Sequence, residues 1–182
     1  DEREVLAVIW IADTLRPSSR DAIAELQARG LEVIMLTGDG PGAARAVGEA
    51  VGVDRVVDSV LPEGKASFVE ELQRQGRRVA MVGDGINDAA ALARADLSIA
   101  MGSGSDLAME TAMVTIRTSE LGSVVKLFDL AHRTLRTIHQ NLFRAFIYNL
   151  IAIPVAAGLL YPFTGYLLNP MIAGALMMLS SL

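Results

Sequence analysis

Residues 145–182 contain no Asp, Glu, Lys or Arg. A water-soluble domain seldom runs so far without a charge, whereas a membrane-embedded segment does so as a rule. The rest of the chain differs. Residues 1–116 carry 11 basic and 19 acidic side chains, net −8, and residues 117–144 carry 5 and 2, net +3. The distribution predicts an acidic soluble domain over 1–118, a basic stalk helix over 119–141 and a truncated hydrophobic hairpin over 142–182. Leu142–Tyr161 offers the roughly 20 residues a helix needs to span a bilayer, with Arg144 as its one charge. Lys126, His132, Arg133, Arg136 and His139 precede it and mark the cytoplasmic side. Tyr161–Pro170 would be the outer turn, and Met171 onward a return segment too short to span. The chain also opens at Asp1 with no Met and no leader peptide. The expectation is a fragment of a larger integral membrane protein.

Before the tail, strand-like and helix-like segments alternate. Val5–Ile11, Leu31–Leu36, Arg55–Val60, Arg78–Val82, Leu97–Met101 and Met113–Ile116 read as strands. Ser18–Arg29, Pro41–Val51, Glu63–Gln75 and Asn87–Arg94 read as helices, with Gly30 and Gly76 as stops and Pro41 in a first turn. Such alternation predicts an α/β fold with a parallel sheet covered by helices on both faces. The overall net charge of −5 argues against nucleic-acid binding, which needs a basic surface. The absence of cysteine excludes disulfides, zinc–thiolate sites and a cysteine nucleophile.

In open parallel sheets, ligands bind beyond the carboxyl ends of the strands. The residues there are Asp13-Thr14, Thr37-Gly38-Asp39-Gly40 and Gly83-Asp84-Gly85-Ile86-Asn87-Asp88. Acidic groups between flexible glycines suit hydrated Mg²⁺, which takes one or two carboxylates plus water and phosphate. There is no P-loop. The glycines at 38, 40 and 42 match a dinucleotide fingerprint poorly, because Asp39 would repel the pyrophosphate.

Thr37-Gly38-Asp39, Leu61-Pro62-Glu63-Gly64-Lys65, Gly83–Asp88 and Ser98–Asp106, in this order, resemble the phosphorylation domain of P-type ATPases, within the haloacid dehalogenase superfamily. The resemblance covers essentially the whole chain. It implies a haloacid dehalogenase-like Rossmannoid parallel sheet followed by transmembrane α-helices. It also implies roles. Thr37, with Gly38 and Asp39, would hydrogen-bond the transferred phosphoryl group, and Lys65 would neutralise its charge. Asp84 and Asp88 would hold Mg²⁺, with Asn87 and Asp88 supporting the metal and phosphate geometry. Phosphoryl transfer is mostly positioning and charge neutralisation, which these residue types supply. Asp13 and Arg16, in D-T-L-R-P, look like the hinge beside the family's site. Bland readings stand beside these: Asp84 and Asp88 as turn and cap residues, Lys65 as a solvated helix residue, Thr37 as a strand end. Two positions depart from the family pattern, Gly40 for Asn and Ala90 for Pro. The nucleophile motif D-K-T-G-T does not occur in the chain. The expectation is that it lies upstream and that this fragment alone is inactive.

The Tyr148-Asn149 pair and the string Met177-x-x-Ser180-Ser181 resemble the last two membrane helices of copper-transporting P-type ATPases. Met177, Ser180 and Ser181 share a helix face at i, i+3, i+4, and a thioether suits Cu⁺. Helix packing is the plainer alternative for all five. What the resemblance implies is an ATP-driven pump, exporting Cu⁺ through an aspartyl phosphate. ATP, the transported ion, membrane lipid and a cytosolic metal chaperone would be its partners, and nucleic acid would not. The catalytic domain would be cytoplasmic and the protein would sit in the plasma membrane. The rivals are a membrane-anchored phosphatase using Asp13, and a non-catalytic membrane adaptor.

Overall fold

The computed structural model describes residues 15–84, 87–102, 106–159, 161–165 and Gly174, with the side chains of 106–108, Ala156 and Thr164 set aside. The expected strand Val5–Ile11, Asp13, and the return segment with Met177, Ser180 and Ser181 lie outside them. The chain divides into two units, Asp1–Leu127 and Phe128–Leu182.

In the first unit the order is α1 (Ser18–Ala28), β1 (Ile34–Leu36), α2 (Pro41–Val51), β2 (Arg55–Val57), α3 (Pro62–Arg74), β3 (Ala80–Gly83), α4 (Ala89–Arg94), β4 (Leu97–Met101), α5 (Asp106–Thr111) and β5 (Val114–Ile116). All pairings are parallel, as the alternation predicts. The single sheet is a correction: among the described residues there are two, β1–β2 and β3–β4–β5. Except for Leu97–Met101, the predicted strands that fall on described residues are also longer than the observed ones. Leu31–Val33 is spent on the exit from α1, and pairing begins where Ile34 meets Arg55.

The two sheets are entered by the same device. Glu-Leu-Gln-x-x-Gly-x-x-Val occurs at 25–33 and again at 71–79. In each copy the glycine (Gly30 φ 80, Gly76 φ 79) takes the left-handed turn that ends the helix. Its N–H donates to Gln27 O and Gln73 O, at 2.8 and 2.9 Å. The residue after it donates to Leu26 O or Leu72 O. The valine that follows gives its N–H to an aspartate ahead of the neighbouring strand: Val33 to Asp54 at 2.7 Å, Val79 to Asp96 at 2.9 Å. The glutamine completes the latch, Gln27 donating to Gly52 O and Gln73 to Arg94 O and the Asp96 carboxylate.

Helices cover these sheets through small residues. Gly48 of α2 lies where a Cβ would run into Val56 of β2. Val69 of α3 packs with Ala91 and Ala95 beside Val79 and Met81, and Leu92 packs with Ala100. Ser98, buried in β4, accepts the N–H of Met113 at 2.9 Å.

The stalk and the span, expected as 119–141 and 142–161, form one element, α6 (Gly122–Ala156), roughly 50 Å long at helical rise. Its start is buried at Val124 and Val125. In the second unit it exposes Leu142, Phe143, Phe146, Leu150, Ile151 and Ile153. It ends at Ala156, short of the expected Tyr161, in a turn with Gly158 at φ 92. The short α7 (Tyr161–Thr164) follows. Among the described residues no helix is long and apolar enough to cross a membrane.

Asp54 and Asp96 are held below the ordinary aspartate range, first by the N–H of Val33 and Val79, then by the glutamines. A depressed pKa adds stability that is fully present above the ordinary value of about 3.9 and is lost as pH falls through the folded value. Asp96→Asn should therefore lower the melting temperature at pH 7, with the gap closing as pH drops below about 3.9. Thermal melts by circular dichroism between acid and neutral pH check this; a pH-independent gap would count against it.

Candidate functional site

The carboxyl ends of β1 and β3 lead into the two loops singled out from the sequence. After Leu36 the chain turns through Thr37-Gly38-Asp39-Gly40 into α2, whose first residue is Pro41. Thr37 Oγ1 donates to Asp39 Oδ2 at 2.9 Å and accepts the Asp39 N–H at 3.1 Å. The hydroxyl proton thus points at a carboxylate of its own loop. Any acceptor arriving from outside must win it from Asp39. Thr37 is half-buried, whereas Gly38, Asp39 and Gly40 are exposed.

Lys65 stands in the first turn of α3, its N–H bonded to Leu61 O at 3.2 Å. Its ammonium donates to Asp88 Oδ1 at 2.7 Å, and each side chain is 13% exposed. Asp88 immediately precedes α4 and accepts the N–H of Leu92 through its carbonyl. The sequence assigned Lys65 and Asp88 to one site, and the fold brings them into direct contact. Asp84, at the end of β3, and Asn87 are exposed.

Gly83 was missed as a contributor. A Cβ there would stand 2.6 Å from Asp88 Oδ2 and 3.0 Å from Asp88 Cβ. The bare backbone at the end of β3 is what lets the Asp88 carboxylate fold back toward Lys65. The signal available in the sequence was a glycine as the last residue of a strand, where a side chain would ordinarily help to fill the core.

Arg16, the hinge candidate, donates to Ser119 O at 2.9 Å, just ahead of α6. In the second unit Tyr148 is half-buried and Asn149 exposed. Asn149 lines an apolar groove of about 250 Å³ with Phe146, Leu150, Ile153 and Pro154.

As for Mg²⁺, Asp88 gives one oxygen to Lys65, and Asp84 is exposed. Among the described residues no cluster of three or more His, Asp or Glu is placed to hold a metal ion. That donor set fits Mg²⁺ completed by water and phosphate, which needs only one or two protein carboxylates. It does not fit an all-protein cage.

Gly83→Ala should push Asp88 off the end of β3 and open the Lys65 contact. Overpacking of this kind costs about 1–3 kcal/mol. Denaturant melts and a crystal structure of the variant check it; an unchanged melt with the pair intact would contradict the role given to Gly83.

A family model described as haloacid dehalogenase-like hydrolase matches residues 1–96. The copper-exporting P-type ATPase of Vibrio cholerae is 52% identical over 175 residues, 96% of this chain and 19% of that protein. The probable copper-importing P-type ATPase A of Enterococcus hirae is 51% identical over 184 residues, 100% of this chain and 24% of that protein. Among solved structures, a zinc-transporting PIB-type ATPase in the E2P state superposes with a TM-score of 0.78 at 38% identity, over 93% of this chain and 27% of that one. The chain spans about a fifth to a quarter of the length of the curated relatives it matches.

Proposed function

The chain belongs to the haloacid dehalogenase-like hydrolase family, and from that premise we propose that it is part of an ATP-driven heavy-metal pump, exporting Cu⁺ through an aspartyl-phosphate intermediate. The observation that carries the reading is the Lys65–Asp88 ion pair, 2.7 Å long, between the helices that follow β2 and β3. A fixed ammonium at the carboxyl ends of parallel strands is what a migrating phosphoryl group requires.

The residues divide the work as follows. Asp88 orients Lys65, so that its remaining N–H groups can meet phosphoryl oxygens and the attacking carboxylate. The Thr37 hydroxyl turns from Asp39 to a phosphoryl oxygen. Gly38 lets the loop approach closely, and Asn87 steadies the strand-end turn. Asp84 would hold Mg²⁺, with Asp88 beside it, and the ion would supply positive charge to the phosphate oxygens. The nucleophile belongs to a segment upstream in the longer protein. A phosphatase working through Asp13 would not need one, and that is the point at which the rival separates.

The relatives named above support the transport reading, two being copper pumps and the third a zinc pump. So does the C-terminal part of α6, where Leu142, Phe143, Phe146, Leu150, Ile151 and Ile153 are exposed: such an apolar surface suits lipid or neighbouring helices rather than water. We place Leu142–Leu182 in the membrane, in the plasma membrane of the cell, with residues 1–118 and the stalk at 119–141 on the cytoplasmic side. Pro154 lacks the N–H that would bond Leu150 O, which leaves that carbonyl beside Asn149. Tyr148, Asn149, Met177, Ser180 and Ser181 would line the ion path, and a cytosolic chaperone would deliver Cu⁺.

One experiment tests the proposal in the longer protein, reconstituted in vesicles. With labelled ATP and Cu⁺ it should form an acid-stable phosphoprotein. Asp84→Asn should slow that formation on the order of 10²-fold. Met177→Leu and Asn149→Ala should keep phosphorylation chemistry but lose Cu⁺ activation, since a Leu↔Met swap alone costs little in packing. Normal phosphorylation in Asp84→Asn would contradict the site. Unchanged Cu⁺ response in both membrane variants, or activation by Zn²⁺ instead, would reject copper while leaving the pump. Phosphate release abolished by Asp13→Asn, without a phosphoprotein, would favour the phosphatase.

A further inference from the structure

Ser59 is the one non-glycine residue with a positive φ, 56°, among the described residues. Left-handed backbone is disfavoured for any residue with a Cβ, and most for β-branched ones. The turn it makes touches both halves of the candidate site. On one side, the Ser59 N–H donates to Asp39 O at 2.9 Å and the Val60 N–H to Thr37 O at 3.0 Å. The Thr37 N–H in turn donates to Val57 O at 3.0 Å. On the other side, Leu61 O accepts the Lys65 N–H, and Val60 Cγ1 would stand 3.1 Å from a Cβ on Gly64. The Ser59 hydroxyl donates to the neighbouring Asp58 at 3.1 Å.

Three backbone hydrogen bonds therefore hold the Thr37–Asp39 loop to a four-residue segment that runs directly into the helix carrying Lys65. We infer that Ser59 is a positioning residue for phosphoryl transfer: its left-handed turn sets the Thr37 loop against the first turn of α3, and so sets the Thr37 hydroxyl relative to the Lys65 ammonium. This rests on the function proposed above. An extended backbone at residue 59 would redirect both N–H groups and release the loop from the helix. Neither Thr37 nor Lys65 would change chemically, but they would cease to be fixed to one another.

The test uses the longer protein with Ser59→Gly, Ser59→Asn and Ser59→Val. Gly and Asn accept the left-handed conformation, and Val resists it. Phosphoprotein formation at saturating ATP should fall roughly ten-fold or more in Ser59→Val. The KM for ATP should move less than about two-fold, and Ser59→Gly and Ser59→Asn should restore the rate. In the same preparations, hydrogen–deuterium exchange should accelerate in segments 35–39 and 56–61 of Ser59→Val and stay unchanged over β3 and β4. If Ser59→Val does not fold, Ser59→Ala replaces it, with a smaller loss in the same direction. Equal rates in Val (or Ala) and Gly variants, or equal exchange in the two segments, would overturn the assignment. If the wild type forms no phosphoprotein, the proposed function fails, and the exchange comparison still decides whether the turn fixes the loop.

Discussion

The Lys65–Asp88 ion pair is the contact on which the rest of the site depends. Lys65 opens the helix that follows β2, and Asp88 precedes the helix that follows β3. The two strands lie in different sheets among the described residues. One 2.7 Å bond thus joins the two sheets at the edge where the chemistry would occur. With each side chain 13% exposed, the pair is shielded enough to hold its geometry and open enough to meet a substrate. A part-buried pair loses about 1–3 kcal/mol when one partner is left without the other. The neighbouring sequence choices follow from it. Gly83 has no Cβ because Asp88 occupies that space. Val69, Ala91 and Ala95 let α3 and α4 approach until the two charges meet.

The opposite ends of the strands are built for stability. There the repeated latch of glutamine, left-handed glycine, valine and aspartate fixes how each helix hands over to its strand. The carboxylates of Asp54 and Asp96 there accept the N–H groups of Val33 and Val79. At the carboxyl ends Asp84 and Asn87 are exposed, and the Thr37 hydroxyl is held by Asp39 of its own loop.

Most elements could be read from the sequence because they are punctuated. Pro41 and Gly52 bound α2, Pro62 and Gly76 bound α3, and Leu97–Met101 was read at its observed limits. What could not be read depends on distant partners. Strand lengths follow pairing register, so Leu31–Val33 and Asp58–Val60 read as strand but lie outside the paired residues. The division into two sheets had no local signal. The grouping of Lys65 with Asp88 was legible through motif order. The roles of Gly83 and Ser59 were not, because they lie in what the backbone does beside those side chains. The Glu-Leu-Gln-x-x-Gly-x-x-Val repeat was visible at a spacing of 46 residues, yet its meaning needed Asp54 and Asp96.

The most direct measurement is a double-mutant cycle on Lys65→Ala and Asp88→Ala in the longer protein, followed in both stability and phosphoprotein formation. If the pair organises the site, the two substitutions couple by about 1 kcal/mol or more in stability. Each single variant should also lose phosphorylation nearly as fully as the double. Additive stability losses within about 0.5 kcal/mol, or phosphorylation that survives in either single variant, would contradict the account.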